Sequence, residues 1–100
     1  MTTNKVFKAL ADPTRRRVLE LLREGAATAG ELADRFPLSK PTMSAHFAVL
    51  REAGLIEAEK IGKTIVYRLK MSVLEEALLG FAGSFGMEMK HARAKKKATP

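Results

Sequence analysis

The chain has no cysteine and no tryptophan, only two histidines and four prolines, and no apolar run long enough to span a bilayer. Each absence removes a class of function. Without cysteine there is neither a disulfide framework nor a thiolate metal site. His46 and His91 have no triad partner at a recognisable spacing, and no glycine-rich loop is arranged to cradle phosphate, so the chain is read as a non-enzyme with no cofactor. No signal peptide or spanning segment is visible, which makes the cytoplasm the default location and leaves the membrane out as a partner.

What remains is 100 residues of which 46% are hydrophobic. That is one domain with a modest core, small enough for dimerisation to add stability. The formal net charge of +7 is unevenly placed: residues 90–100 carry five basic and no acidic side chains, whereas residues 1–89 carry 13 basic against 11 acidic. The body is therefore nearly balanced, and affinity for a polyanion must come from local placement of charge. We divide the chain into a domain over residues 1–89 and a basic tail over residues 90–100. The tail reads as a frayed helix end, a solvated appendage or an arm touching phosphates, the solvated appendage being favoured.

The stretch Leu32 to Gly54 carries the most information. Thr28-Ala-Gly-Glu31 has capping-box spacing and opens a short helix whose Leu32, Ala33 and Phe36 face inward. Pro37 and Leu38 form a turn, Ser39 is a good N-cap, and Pro41 is tolerated in the first turn of the next helix because an amide there has no intrahelical partner. Gly54 stops that helix. Met43, Phe47 and Leu50 recur at three- and four-residue spacing as a buried stripe, which leaves Lys40, Thr42, Ser44, Ala45, Ala48 and Arg51 elsewhere around the cylinder. Two helices with a tight turn, the second presenting small and polar side chains, suit entry into a major groove about 12 Å wide. An ordinary amphipathic helix pair with solvated polar faces fits the same residues.

The next segments favour the first reading. Leu55–Lys60 and Thr64–Leu69 flank Ile61-Gly62-Lys63, a hairpin with glycine in its turn and the basic residues Lys60 and Lys63 beside its tip. Leu55, Ile65, Tyr67 and Leu69 are placed to cover the core while the tip projects. The fold class is thus mainly α with a small β-hairpin, a winged helix-turn-helix of about five helices and a two-stranded wing.

The ordered set Ala11-Asp-Pro-Thr-Arg-Arg16, Leu19–Leu22, Ser39-Lys-Pro-Thr-Met-Ser-Ala-His46 and Leu50-Arg-Glu-Ala-Gly-Leu55 resembles the ArsR-type winged helix-turn-helix repressors, with the metal-independent branch typified by the SdpR autorepressors nearest. The resemblance covers about residues 4–78. It implies a dimeric bacterial transcription factor bound to double-stranded DNA at an inverted-repeat operator. Carried over by position, it implicates Ser39, Lys40, Thr42, Ser44, Ala45 and His46 of the second helix with Lys60 and Lys63 of the wing. Many relatives carry a polar or aromatic group where this chain has Ala45, whose methyl suits a thymine methyl rather than a hydrogen bond. A winged helix that binds only protein is the alternative, and failure to retard any duplex would favour it. For His46, which borders the apolar stripe, a structural or phosphate-contacting role is preferred to catalysis.

The two ends of the domain read as dimer apparatus. Val6, Phe7 and Leu10 give a first helix an apolar face. Asp12-Pro13 ends that helix and caps the next, whose core stripe is Val18, Leu21 and Leu22. Ser72-Val-Leu-Glu75 has the spacing of a second capping box, followed on one face by Leu74, Ala77, Leu78, Phe81, Phe85 and Met89. The expected homodimer interface is Val6, Phe7, Leu10, Leu74, Leu78, Phe81 and Phe85. Gly80, Gly83 and Gly86 each cost a helix about 1 kcal/mol relative to alanine, so either the helix breaks near Gly80 or the three-residue glycine row permits a close helix crossing, and the continuous helix is favoured. Glu75, Glu76, Glu88 and His91 offer a single imidazole among them, and no metal is expected.

Overall fold

The computed structural model describes residues 2–88. Five helices and three short strands follow in the order α1 (Thr2–Leu10), α2 (Pro13–Arg23), β1 (Ala27–Thr28), α3 (Ala29–Ala33), α4 (Lys40–Glu52), β2 (Ile56–Ile61), β3 (Thr64–Leu69) and α5 (Met71–Ser84). The boundaries follow local chemistry. Asp12 caps α2, its carboxylate accepting from the N–H groups of Thr14 and Arg15 at 2.7 and 3.2 Å. Thr28 and Glu31 close the capping box of α3 reciprocally, at 2.8 and 3.0 Å. Helix α4 ends with Gly54 at φ +78°, its N–H bonded to the Arg51 carbonyl while the Leu55 N–H returns to Leu50. That six-to-one pattern needs a left-handed residue, which glycine adopts without strain.

The sheet is antiparallel in the order β1-β3-β2. Its hairpin pairs Ile56 with Leu69, Ala58 with Tyr67 and Lys60 with Ile65 on one face, and Glu57 with Arg68 and Glu59 with Val66 on the other. Gly62 at φ +64° occupies the first central position of a two-residue turn between Ile61 and Thr64, a geometry that suits the right-handed twist of the strands. The wing differs from expectation in three ways. Ile61 closes β2 instead of belonging to the connection. Leu55 lies before the strand rather than within it, and a third strand, β1, pairs Ala27 with Tyr67 and Thr28 with Val66.

The core is shared by every layer. Val6 and Ala9 of α1, Val18, Leu19 and Leu22 of α2, Leu32 of α3, Met43, Phe47 and Leu50 of α4, Leu55, Ile56 and Tyr67 of the wing, and Ala77 of α5 form one buried cluster. In α2 the buried stripe is Val18, Leu19 and Leu22, while Leu21, expected inside, is only half-buried. The sheet supports α4 directly: the Phe47 and Tyr67 rings are 4.8 Å apart. Ile65, expected to cover the core, is exposed and pairs with Lys60 near the turn.

The expected capping box at Ser72 is absent. The Lys70 N–H is bonded to the Leu55 carbonyl at 2.8 Å, and α5 starts at Met71 with no side-chain cap, so Ser72 already lies in its first turn. The helix does run through Gly80 and Gly83. It ends at Ser84, before Gly86 at φ +72°, where the Met87 N–H returns to the Ala82 carbonyl. A methyl group at Gly80 or Gly83 would meet nothing within 4 Å, so neither glycine serves a close helix crossing inside the protomer.

Candidate nucleic-acid interface

Helix α4 divides its surface as its sequence requires. Met43, Phe47 and Leu50 are buried, and Lys40, Thr42, Ser44, Ala45, Ala48 and Arg51 are all exposed. The small side chains at 44, 45 and 48 let a partner surface approach the helix closely, with Lys40 and Arg51 supplying positive charge on the same element.

The N-terminus of α4 is more organised than a simple cap. The Ser39 hydroxyl accepts from the Thr42 N–H at 3.2 Å and donates to the Thr42 hydroxyl oxygen at 2.9 Å. Ser39 therefore spends its hydrogen within the protein, whereas Thr42 keeps its own hydroxyl hydrogen to donate outward. Of the two, Thr42 is the better placed to meet an acceptor on a ligand.

His46 is half-buried, on the flank of α4 that packs towards α1 and α2. Its Nδ1 lies 3.2 Å from Nη1 of Arg15. Arg15 also donates through Nε to the Ala9 carbonyl at 2.8 Å and through Nη2 to the Lys8 carbonyl at 3.0 Å. Arg16 donates to the Leu10 carbonyl at 2.7 Å. Two consecutive guanidinium groups thus satisfy the last carbonyls of α1, where a cation is also favoured by the helix dipole. Nearby, burial acts to raise the Asp12 carboxyl, but the N–H groups of Arg15 and Thr14 together with the charges of His46 and Arg15 outweigh it and hold the group below its ordinary range.

Lys60 and Lys63 are both exposed, Lys60 in β2 and Lys63 in the turn. The wing's outer face is internally neutralised: Arg68 donates to Glu59 at 2.7 Å and Lys70 stands 3.9 Å from Glu57. Neither tip lysine has an ion-pair partner among the described residues. Burial raises the Tyr67 phenol above its ordinary pKa, and the charge of Arg51 opposes that shift.

The residues expected at a dimer interface divide. Val6 is fully buried in the chain's own core. Leu10, Leu74 and Leu78 are half-buried. Phe7, Phe81 and Phe85 form a ladder, with ring centroids 4.9 Å apart for the first pair and 5.1 Å for the second. Phe81 keeps 48% and Phe85 67% of its surface exposed. Met89, His91 and the basic tail lie outside the described residues.

Sequence reasoning missed Arg15 as part of this surface and β1 as part of the sheet that supports it. The Asp-Pro-Thr-Arg run marks a helix start, but nothing in its spacing shows that the arginine reaches a residue on α4. Among the described residues no group of three or more histidine, aspartate or glutamate side chains is placed to hold a metal ion. No described helix is long and apolar enough to cross a membrane.

A helix-turn-helix domain family matches residues 10–59. The chain is 44% identical over 75 residues to the transcriptional repressor SdpR of Bacillus subtilis (strain 168), a match covering 75% of this chain and 83% of that one. It is 43% identical over 74 residues to an arsenic resistance transcriptional regulator of Pseudomonas putida, covering 73% of this chain but only 58% of the relative. Among solved structures, that of an ArsR family transcriptional regulator superposes with a TM-score of 0.80 at 32% identity, covering 86% of this chain and 94% of the other.

Proposed function

Because this chain belongs to the ArsR-type winged helix-turn-helix transcriptional regulators, we propose that it is a homodimeric repressor that reads an inverted-repeat operator and occludes a promoter. The observation that carries the reading is the exposed face of α4, on which Lys40, Thr42, Ser44, Ala45, Ala48 and Arg51 stand together beside a wing whose two tip lysines are unpaired among the described residues. Thr42 and Ser44 supply hydrogen bonds to base edges and Ala45 a methyl contact, while Lys40, Lys60 and Lys63 hold phosphates. Ser39 acts as the cap that aims Thr42 rather than as a base contact. The similarity to the SdpR repressor supports the direction of regulation.

Dimerisation is supported by the aromatic ladder. Phe81 and Phe85, with ring centroids 5.1 Å apart and both largely exposed, present apolar surface of a kind that monomeric proteins seldom leave in water. A two-fold pairing through α1 and α5 sets two α4 helices on one side of the dimer, and half-site centres about one or two helical turns apart follow from that symmetry. In this reading residues 1–89 form the binding and dimerising unit and residues 90–100 an accessory cationic tail.

The test is to select bound fragments of genomic DNA with purified protein and to repeat the selection with Thr42→Ala and Ser44→Ala. A shared palindromic motif is expected, with specific affinity lowered by about 1–3 kcal/mol where a good base contact is lost. An unchanged preference in both variants overturns the reading surface. Failure to retard any duplex at low salt overturns the DNA function and favours a winged helix that binds only protein.

A further inference from the structure

Arginine does not lose its proton in a protein, so its Nη1 can only donate. Where it faces His46 Nδ1 at 3.2 Å, that nitrogen must present a lone pair, and the ring hydrogen is driven to Nε2. A histidine oriented by a second group in this way has one defined donor instead of an interchangeable pair. Nε2 has no hydrogen-bond partner among the described residues.

We propose that Arg15 is a positioning residue for DNA binding, fixing His46 as the Nε2–H tautomer so that Nε2 donates to a backbone phosphate oxygen. The inference rests on the DNA-binding reading above and assigns a role to a residue outside the recognition helix. A phosphate is the chosen acceptor because of where His46 sits on α4. It lies next to the buried Met43, Phe47 and Leu50 and faces the α1–α2 side, whereas Ser44, Ala45 and Ala48 are fully on the outer face. When a helix enters the groove by its outer face, its flank meets the groove wall, which is sugar and phosphate.

The same guanidinium holds the Ala9 and Lys8 carbonyls. One side chain therefore joins the end of α1, the start of α2 and the middle of α4. The Asp12 carboxylate, accepting from the Arg15 N–H, holds the backbone from which that side chain extends. Orientation of the donor on α4 is thereby tied to α1, the helix that carries Phe7 of the aromatic ladder.

Nitrogen-15 NMR of the histidine ring decides the first half of the proposal without DNA. The protein is observed above the ordinary histidine pKa of about 6.5, as wild type and as His91→Gln, which leaves His46 as the only imidazole. A protonated Nε2 and a bare Nδ1 are expected, with a tautomer mixture in Arg15→Met. A bare Nε2 in the wild type, or an unchanged pattern in Arg15→Met, overturns the proposal. The second half is read on a selected operator fragment and an unrelated duplex. Arg15→Met and His46→Met should each weaken binding to both by about tenfold, as expected for one hydrogen bond to a charged group. His46→Gln should stay within about twofold of wild type, because its amide oxygen can accept from Arg15 while its nitrogen donates. Loss of preference for the operator without loss on the unrelated duplex would assign His46 to base reading and overturn the phosphate contact. If the wild type itself shows no operator preference, the sequence-specific reading fails, while the NMR result stands separately.

Discussion

The rings of Phe7 and Phe81 pack 4.9 Å apart at an interplanar angle of 58°, fastening the first helix to the last although the two residues stand near opposite ends of the domain. That contact covers only part of Phe81, which remains 48% exposed. The pair is therefore an internal joint with an outer surface, which in the proposed dimer is covered by the second protomer.

Replacing Phe81 or Leu78 with glutamate would place a charge in that covered surface, an expense that association cannot offset without a partner charge. The folded protomer should tolerate Phe81→Glu better, because much of that side chain already meets water. Sedimentation should report monomers, far-UV circular dichroism should stay near wild type, and operator binding should be lost. A wild-type chain that is monomeric at micromolar concentration yet binds a single half-site tightly would refute the dimer.

Ser39 separates stability from recognition. Ser39→Ala removes the cap of α4 and should cost about 1 kcal/mol of folding stability. Ser39→Asp keeps an acceptor for the Thr42 N–H but turns the Thr42 hydroxyl into a donor towards the new carboxylate, and adds a negative charge beside DNA. Urea unfolding should find Ser39→Asp close to wild type, while its operator affinity falls below that of Ser39→Ala. The opposite order would show that Thr42 does not donate outward.

Much of this surface could be read before any coordinates, because its determinants are local. The capping box at Thr28, the cap at Ser39, the stripe Met43-Phe47-Leu50 and the stop at Gly54 depend on residues within a few positions of each other. What escaped depends on distant partners. Strand β1 is two residues long and exists only because Ala27 and Thr28 pair with Tyr67 and Val66, a register no local pattern encodes. Ser72-Val-Leu-Glu75 has the letters of a capping box, but the hairpin closes through Lys70 and Leu55 and starts the helix too early for Ser72 to cap it. Apolar periodicity marks Val6 as part of a buried face without saying which body buries it, and the chain's own core already does so. Arg15 was legible as part of a motif and not as the partner of His46, since that contact spans 31 positions.

Asp12 should make the fold acid-sensitive. Its carboxyl is held below the ordinary value in the folded chain, so the ionised form is favoured by folding. The resulting stabilisation is complete above the ordinary carboxylate pKa of about 3.9 and is lost as the pH falls through the lower folded value. Asp12→Asn keeps a capping acceptor without the charge. Unfolding free energies measured against pH should show the wild type ahead of this variant near neutrality and the gap closing in acid. A gap independent of pH would mean that the charge contributes nothing.

Zinc, cadmium and arsenite should leave operator affinity unchanged. The chain has no cysteine, and soft metals select thiolates. Release of DNA by a stoichiometric metal ion, reversed by a chelator, would reveal a site assembled from residues outside those described or from two protomers.

The basic tail gives the last prediction. Residues 90–100 carry five cationic side chains and no acidic one, and each phosphate they neutralise should contribute about 0.9 to the slope of log K against log salt. Deleting them is expected to lower that slope by the equivalent of about one or two contacts. Operator preference should survive, since backbone contacts position a protein on the duplex without carrying base information. An unchanged slope and affinity would mark the tail as merely solvated. A deletion that abolished dimerisation would instead make residues 90–100 part of the folded assembly, contradicting the division of the chain at residue 89.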